Sequence, residues 1–352
     1  MMSSIFDHPD FDDHECVTIV SDPDSGLSGI IAVHSTVLGP SAGGTRFWMY
    51  DESADAITDA LRLSRAMSLK NAMASIPHGG GKGVIIRPSG TFDREAIFSA
   101  YGRALNRVGG AYYTAEDVGV SPDDMRVIHT QTSFVAGLEE GEAASGDPSP
   151  ITADGVFRCL KYAVAYKLGQ NDLSGITVSI QGLGHVGYAL AEHLHAAGAK
   201  LVVADINQAA LEKAKRELNA EVVDIDKIFS ADADVFAPCA LGGAVNAQTL
   251  PTLKAKIICG AANNQLATPH MADGLVARGI LYCPDYVVNG GGIINVASEL
   301  SGTYDYEWVD GKLDGLVETL ADIIKQHDAS GRNTDIIAEE MALARIAAGK
   351  RA

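Results

Sequence analysis

The sequence predicts an α/β protein of two domains, and three observations predict it. The chain has 352 residues, more than one hydrophobic core usually serves. Up to about residue 140, alternating β-branched segments are mixed with long amphipathic stretches, the pattern of an α/β domain with a mostly β-sheet core. Beyond a Gly-, Ser-, Ala- and Pro-rich break at 141–150, short apolar strands alternate with helical stretches. That alternation is the mark of a parallel sheet with helices on both faces. The expected domains are 1–140 and 141–324, with the tail 325–352 a candidate to complete the first and an active-site cleft between the two.

Taken in order, residues 16–38 read as a hairpin around Asp22-Pro-Asp-Ser-Gly26. The glycine-rich stretch 39–44 reads as a turn and 45–50 as a strand. A helix is expected from about Ser53 to Ala74, with Asp51, Glu52 and Asp55 at its start, where the helix dipole favours acids. A strand at 83–87, a helix at 93–108, a strand ending at Ala115-Glu-Asp117 and a helix from Pro122 follow. In the second half, helices at 152–168, 187–198 and 208–218 alternate with strands at 176–181, 200–205 and near Val222, then at 234–237, 256–259 and 280–283. A helix follows three glycines at 291–300, and the tail 310–350 is helical.

A net charge of −18, spread along the chain, argues against a nucleic-acid surface, which needs a basic patch, and against an anionic membrane. The five cysteines are odd in number, widely spaced and without a CxxC pair, so free thiols in a reducing cytoplasm are expected rather than disulfides or a metal site. The first residues lack the basic and apolar regions of a signal peptide, and no run of eighteen apolar residues appears.

Lys70-Asn-Ala-Met-Ala-Ser-Ile-Pro-His-Gly-Gly-Gly-Lys82 is the stretch around which the first domain is organised. Two lysines, the second behind three glycines, are expected to face one cleft. Their mutual repulsion would favour loss of one proton, leaving a carboxylate binder and a base. By itself the string reads equally as a glycine turn between two solvated lysines. It is not a phosphate loop, because Ile76 and Gly83 stand where that pattern needs Gly and Ser or Thr.

Gly182-Leu-Gly-His185-Val186-Gly187 follows a predicted strand and opens a predicted helix, and Asp205 ends the next strand. With strand, helix and acid in place, this is a Rossmann dinucleotide site. Gly182, Gly184 and Gly187 serve the tight turn, the approach of pyrophosphate and helix packing, with His185 and Val186 inside the loop. Asp205 would accept from the ribose hydroxyls and repel a 2′-phosphate, so NAD is expected over NADP. Another adenosine ligand would fit the same motif.

These residues resemble the glutamate/leucine/phenylalanine/valine dehydrogenase family of amino-acid dehydrogenases, and within it most closely the leucine enzymes. The matching stretches include Gly43-Gly-Thr-Arg46, Lys70-Asn-Ala, Gly79-Gly-Gly-Lys82, Thr114-Ala-Glu-Asp-Val-Gly119, Pro148-Ser-Pro-Ile-Thr152, the Gly182 loop, Ala261-Ala-Asn-Asn-Gln-Leu266 and Pro284 to Gly292. The resemblance implies that Lys70 holds the substrate carboxylate and that Lys82 activates water for attack on an imine. Asp117 would exchange protons with the amino group. Gly43 would lie on the pocket floor, with Thr152 and Asn264 near the nicotinamide and the substrate amine. The implied reaction is reversible NAD-dependent deamination of an amino acid to a 2-oxo acid and ammonia, in a homo-oligomer.

The resemblance places Ala42, Ala115, Ile293 and Val296 around the substrate side chain. All are apolar, so a buried carboxylate would find no partner and glutamate is disfavoured. At Ala42 the leucine enzymes usually carry Leu and some phenylalanine enzymes a small residue, so leucine, valine, isoleucine and phenylalanine all stay open. Competing readings are glutamate dehydrogenase activity, a non-catalytic NAD-binding regulatory protein, and a hydroxy-acid dehydrogenase. The last normally needs a histidine relay, for which no histidine here has the context.

Overall fold

The computed structural model describes residues 4–138 and 146–350; the expected break falls partly outside them, at 141–145. The chain divides into two compact units. Unit 1 is Met1–Asp147, Asn295–Tyr306 and Ala342–Ala352; unit 2 is Pro148–Ile294 and Glu307–Met341.

In unit 1, β1 (Cys16–Asp22) and β2 (Leu27–Ser35) form an antiparallel hairpin with Cys16 opposite Val33. Then come β3 (Ser41–Trp48), α1 (Ser53–Met73), β4 (Gly79–Ile86), α2 (Arg94–Arg107), β5 (Tyr112–Glu116) and α3 (Pro122–His129). The strands order as β1-β2-β4-β3-β5, with β2 antiparallel to β4, and β3 parallel to both β4 and β5. Alternation along a strand sends neighbours to opposite faces. Accordingly Ile30, Ala32 and Val84 pack with Ala56 and Ala60 of α1. Ile31, Val33 and Ile85 pack with Phe98, Tyr101 and Leu105 of α2 and Met125 and Ile128 of α3. Ser121 and Asp124 close a capping box at the start of α3, with Pro122 in its first turn.

Two glycine stretches differ from expectation. The three glycines before Lys82 are not a turn but the first residues of β4, and Gly43 and Gly44 lie within β3. The reason is packing. A Cβ on Gly80 would stand 2.1 Å from the backbone nitrogen of Ser68, so glycine here lets α1 rest directly on the strand. Glycines that permit close approach cannot be told by composition from glycines that permit a turn.

In unit 2, α4 (Ser149–Leu168) leads to β6 (Thr177–Gln181), α5 (His185–Ala196), β7 (Lys200–Ala204), α6 (Gln208–Leu218), β8 (Glu221–Val222), β9 (Val235–Pro238) and β10 (Ile257–Ile258). Next are α7 (His270–Ala277), β11 (Leu281–Tyr282), α8 (Asp285–Val288), α9 (Gly291–Leu300), α10 (Tyr306–Ser330) and α11 (Thr334–Gly349), of which residues 295–300 of α9, Tyr306 and residues 342–349 of α11 belong to unit 1. The six strands are all parallel, in the order β11-β10-β9-β6-β7-β8. The chain winds outward from β6 in one direction and from β9 in the other, so a topological switch point lies between their carboxyl ends. The tail is two helices rather than one: Gly331 takes φ 70 and ends α10, and the Asn333 side chain accepts from the Ile336 amide to start α11. No described helix is long and apolar enough to cross a membrane.

Candidate active site

Three neighbouring strands of unit 1 hold the polar centre. On β3, Ala42 stands opposite Gly80 of β4 and Tyr113 of β5. Lys82 projects from β4 and is 6% exposed, and Asp117 directly follows β5. The Lys82 amine lies 2.7 Å from Asp117 Oδ2. Arg46 of β3 donates from Nε to the same oxygen at 3.2 Å, and from Nη1 to Asp59 Oδ2 of α1 at 2.8 Å. The Tyr50 hydroxyl donates to that Asp59 oxygen at 2.7 Å. Burial alone would raise the Asp117 carboxyl, but Lys82 and then Arg46 outweigh it and hold it at about 2. The arrangement can pass a proton between an amine and a carboxylate at hydrogen-bonding distance, in a largely water-excluded place.

The partner at bonding distance from Lys82 is the acid Asp117. Lys70 lies half-buried in the last turn of α1. Gly43 and Ala42 are buried on β3 and Ala115 on β5, the two alanines 1% and 8% exposed. Ile293 and Val296 are both buried on α9, three residues apart on one helix face.

In unit 2 the glycine loop joins β6 to α5. Gly182 takes φ 98, in the region that favours glycine, and a Cβ on Gly187 would stand 2.1 Å from the Gly182 carbonyl oxygen. The helix starts at His185, two residues before its expected start. Its N-cap is Gly184, which brings no side chain to the first-turn N–H groups. A helix N-terminus left open this way suits a phosphate. His185 is exposed and Val186 half-buried. Asp205 follows β7 and accepts from the amides of Leu183 at 2.5 Å and Asn207 at 2.7 Å. A carboxylate retains acceptor capacity beyond two such bonds. Thr152 lies in the first turn of α4, its hydroxyl donating to the Pro148 carbonyl at 2.9 Å. Asn264 is exposed in a turn after β10, at a left-handed φ of 52. Open N–H donors, a glycine cradle and an acid at the next strand's end fit a dinucleotide. Among the described residues no cluster of three or more His, Cys, Asp or Glu could hold a metal ion.

A doubly wound nucleotide unit, accompanied by a unit that pairs a buried lysine with a half-buried aspartate, fits a dinucleotide-dependent oxidoreductase. Family comparisons narrow this. Residues 14–134 match the Glu/Leu/Phe/Val dehydrogenase dimerisation domain, and residues 203–350 match the Glutamate/Leucine/Phenylalanine/Valine dehydrogenase domain. The leucine dehydrogenase of Bacillus cereus is 45% identical over 99% of this chain and 95% of its own length. The valine dehydrogenase of Streptomyces albus is 43% identical over 97% and 94%. The crystal structure of L-tryptophan dehydrogenase from Nostoc punctiforme superposes with a TM-score of 0.84 at 41% identity, covering 96% of this chain and 97% of that one. The chain belongs to the Glu/Leu/Phe/Val dehydrogenase family and is an NAD(P)-dependent amino-acid dehydrogenase.

Sequence reasoning assigned no role to Arg46, Asp59 or Tyr50. Arg46 stood within a quoted motif, but its link to Asp59 crosses from β3 to α1 and follows no spacing rule.

Proposed function

We propose that this enzyme uses NAD to deaminate an apolar L-amino acid reversibly, giving the 2-oxo acid and ammonia. Leucine, valine, isoleucine and phenylalanine are the candidate substrates. The observation that carries the reading is the 2.7 Å contact of Lys82 with Asp117 on strands that also carry the buried small residues Ala42 and Ala115. An apolar lining leaves a side-chain carboxylate uncompensated, so glutamate is disfavoured. A small residue at position 42 leaves space for a larger side chain, and a methylene or two is worth only about 1–3 kcal/mol of discrimination.

In this reading Lys70 pairs with the substrate carboxylate. Bound NAD supplies a hydride acceptor for the substrate Cα. Lys82 then takes a proton from the water that attacks the substrate imine, after passing its own proton along the contact with Asp117. Asp117 gives that proton to the departing nitrogen. Gly43 forms the floor, Ile293 and Val296 complete the apolar lining, and Asn264 and Thr152 orient the amine and the nicotinamide amide. Asp205 accepts from the adenosine ribose, and its charge disfavours a 2′-phosphate. Unit 1 serves substrate binding and association with further copies of the chain, unit 2 holds the cofactor, and the enzyme works in the cytoplasm.

The test is absorbance at the NADH band with NAD or NADP and a panel of amino acids, beside 2-oxo acids with ammonia. Turnover of leucine, valine or isoleucine with NAD, and little with glutamate, is expected. Turnover of glutamate alone, or of 2-hydroxy acids alone, would sink the proposal.

A further inference from the structure

The geometry points to Arg46 as a positioning residue of the reaction: clamped by Asp59 and Tyr50, it fixes the Asp117 carboxylate and keeps a permanent positive charge on the lysine–aspartate pair. This inference rests on the proposed acid–base role of that pair.

Arg46 meets Asp117 through Nε and Asp59 through Nη1, so a planar guanidinium is gripped from two directions. Tyr50 donates to the same Asp59 oxygen and holds the clamp itself in place. Burial and Asp59 together raise the Tyr50 hydroxyl, which keeps it a donor at any working pH. Burial would loosen the Arg46 proton, but Asp117 and Asp59 reverse this and raise it. The charged and titratable groups facing Asp117 are Lys82 from β4, Arg46 from β3 and the phenol of Tyr112 from β5. Asp59, on α1, stands behind Arg46.

The two cations converge on one carboxylate oxygen, and they differ in kind. A lysine that works as a base must spend part of each cycle without charge, whereas an arginine never does. With Arg46 present, Asp117 keeps a cationic partner when Lys82 is neutral. Without it, the carboxylate would hold its proton more tightly at that moment and release it less readily to the leaving nitrogen. The shared oxygen also fixes which way the carboxylate faces. A lysine at position 46 would carry the charge but lacks the fork that spans both acids.

The test compares Arg46→Gln, Arg46→Lys and Asp117→Asn in the full chain. Each is assayed for kcat and kcat/KM against pH, with NADH affinity followed by fluorescence. Lys82 and Asp117 share their protons, so the profile reports the pair rather than either group. Removing a fixed positive charge makes both proton losses harder. Arg46→Gln should therefore move the limbs of kcat/KM to higher pH, by about one pH unit, and lower kcat with NADH affinity unchanged. Arg46→Lys should return the limbs most of the way while kcat stays low. Limbs that do not move in Arg46→Gln, or that move equally in Arg46→Lys, overturn the inference while leaving the acid–base reading intact. Full turnover in Asp117→Asn removes that reading and the inference with it. If Arg46→Gln fails to fold, Tyr50→Phe is the substitute. It should lower kcat with NADH affinity unchanged, and an unchanged kcat counts against the clamp.

Discussion

The Leu183 amide in the glycine loop donates to Oδ2 of Asp205 at 2.5 Å, tying the turn after β6 to the end of β7. In the proposed reading the acid has two tasks. It braces the loop that would cradle pyrophosphate, and it presents negative charge where an adenosine ribose would lie. Asp205→Ala should therefore weaken NADH binding by about 10- to 100-fold, the loss of a charged hydrogen bond. NADPH should be weakened less, because the repulsion of a 2′-phosphate goes with the carboxylate. Fluorescence titration with both nucleotides measures this. An unchanged NADH-to-NADPH ratio would mean that the acid only braces the loop.

Removing the amine at position 82 separates chemistry from cofactor binding. Lys82 lies in unit 1 and the glycine loop in unit 2. Lys82→Ala should cut kcat by about 10²- to 10⁴-fold, the usual worth of a positioned base, and leave NADH affinity as it was. Rapid mixing of enzyme, NAD and leucine would report the loss directly. Turnover within a few-fold of the parent would show that another group accepts the proton.

The sequence foretells most of the fold for a simple reason. Strand alternation and helix starts are local, and the helices expected from Pro122 and at 208–218 begin where the structure has them. The Rossmann half is legible because loop, helix and acid follow each other along one βαβ unit. The acid–base centre is legible only in part. Lys82 and Asp117 belong to motifs, but their contact depends on a strand order, β4-β3-β5, that local sequence does not encode. Arg46 and Asp59 are harder still, since they meet across layers. The glycines before Lys82 mislead because what each lies against, Ser35 for Gly79, Ser68 for Gly80 and Tyr112 for Gly81, is distant in sequence.

That close approach is itself testable. Gly80→Ala places a methyl against the Ser68 backbone, which cannot turn aside as a side chain could. Either α1 lifts from the sheet or β4 shifts. Overpacking of this kind costs about 1–3 kcal/mol, seen as a lower Tm. Because α1 carries Lys70, KM for the amino acid should also rise, with NADH affinity unchanged. Wild-type stability in Gly80→Ala would show that the helix has room to move.

A second acidic site in unit 2 gives a prediction of opposite sign to the usual one for acids. Asp335, in the first turn of α11, is raised from 3.8 to about 7, by burial first and then by Asp285 and Glu339. Asp285 accepts from the Gln265 amide at 2.8 Å and the Tyr282 hydroxyl at 3.3 Å. Asp335 is the acid that holds its proton more tightly in the folded chain. A carboxyl that holds its proton more tightly when folded contributes stability that is complete below its unfolded value near 3.8. The contribution is lost as pH rises to about 7. Asn imitates the protonated form at every pH. Asp335→Asn should raise stability at pH 8 by on the order of 1–3 kcal/mol and change it little at pH 4. Thermal melts at the two pH values decide the matter. An equal gain at both, or a loss at pH 8, would mean that the acids are kept apart by solvent and do not compete for a proton.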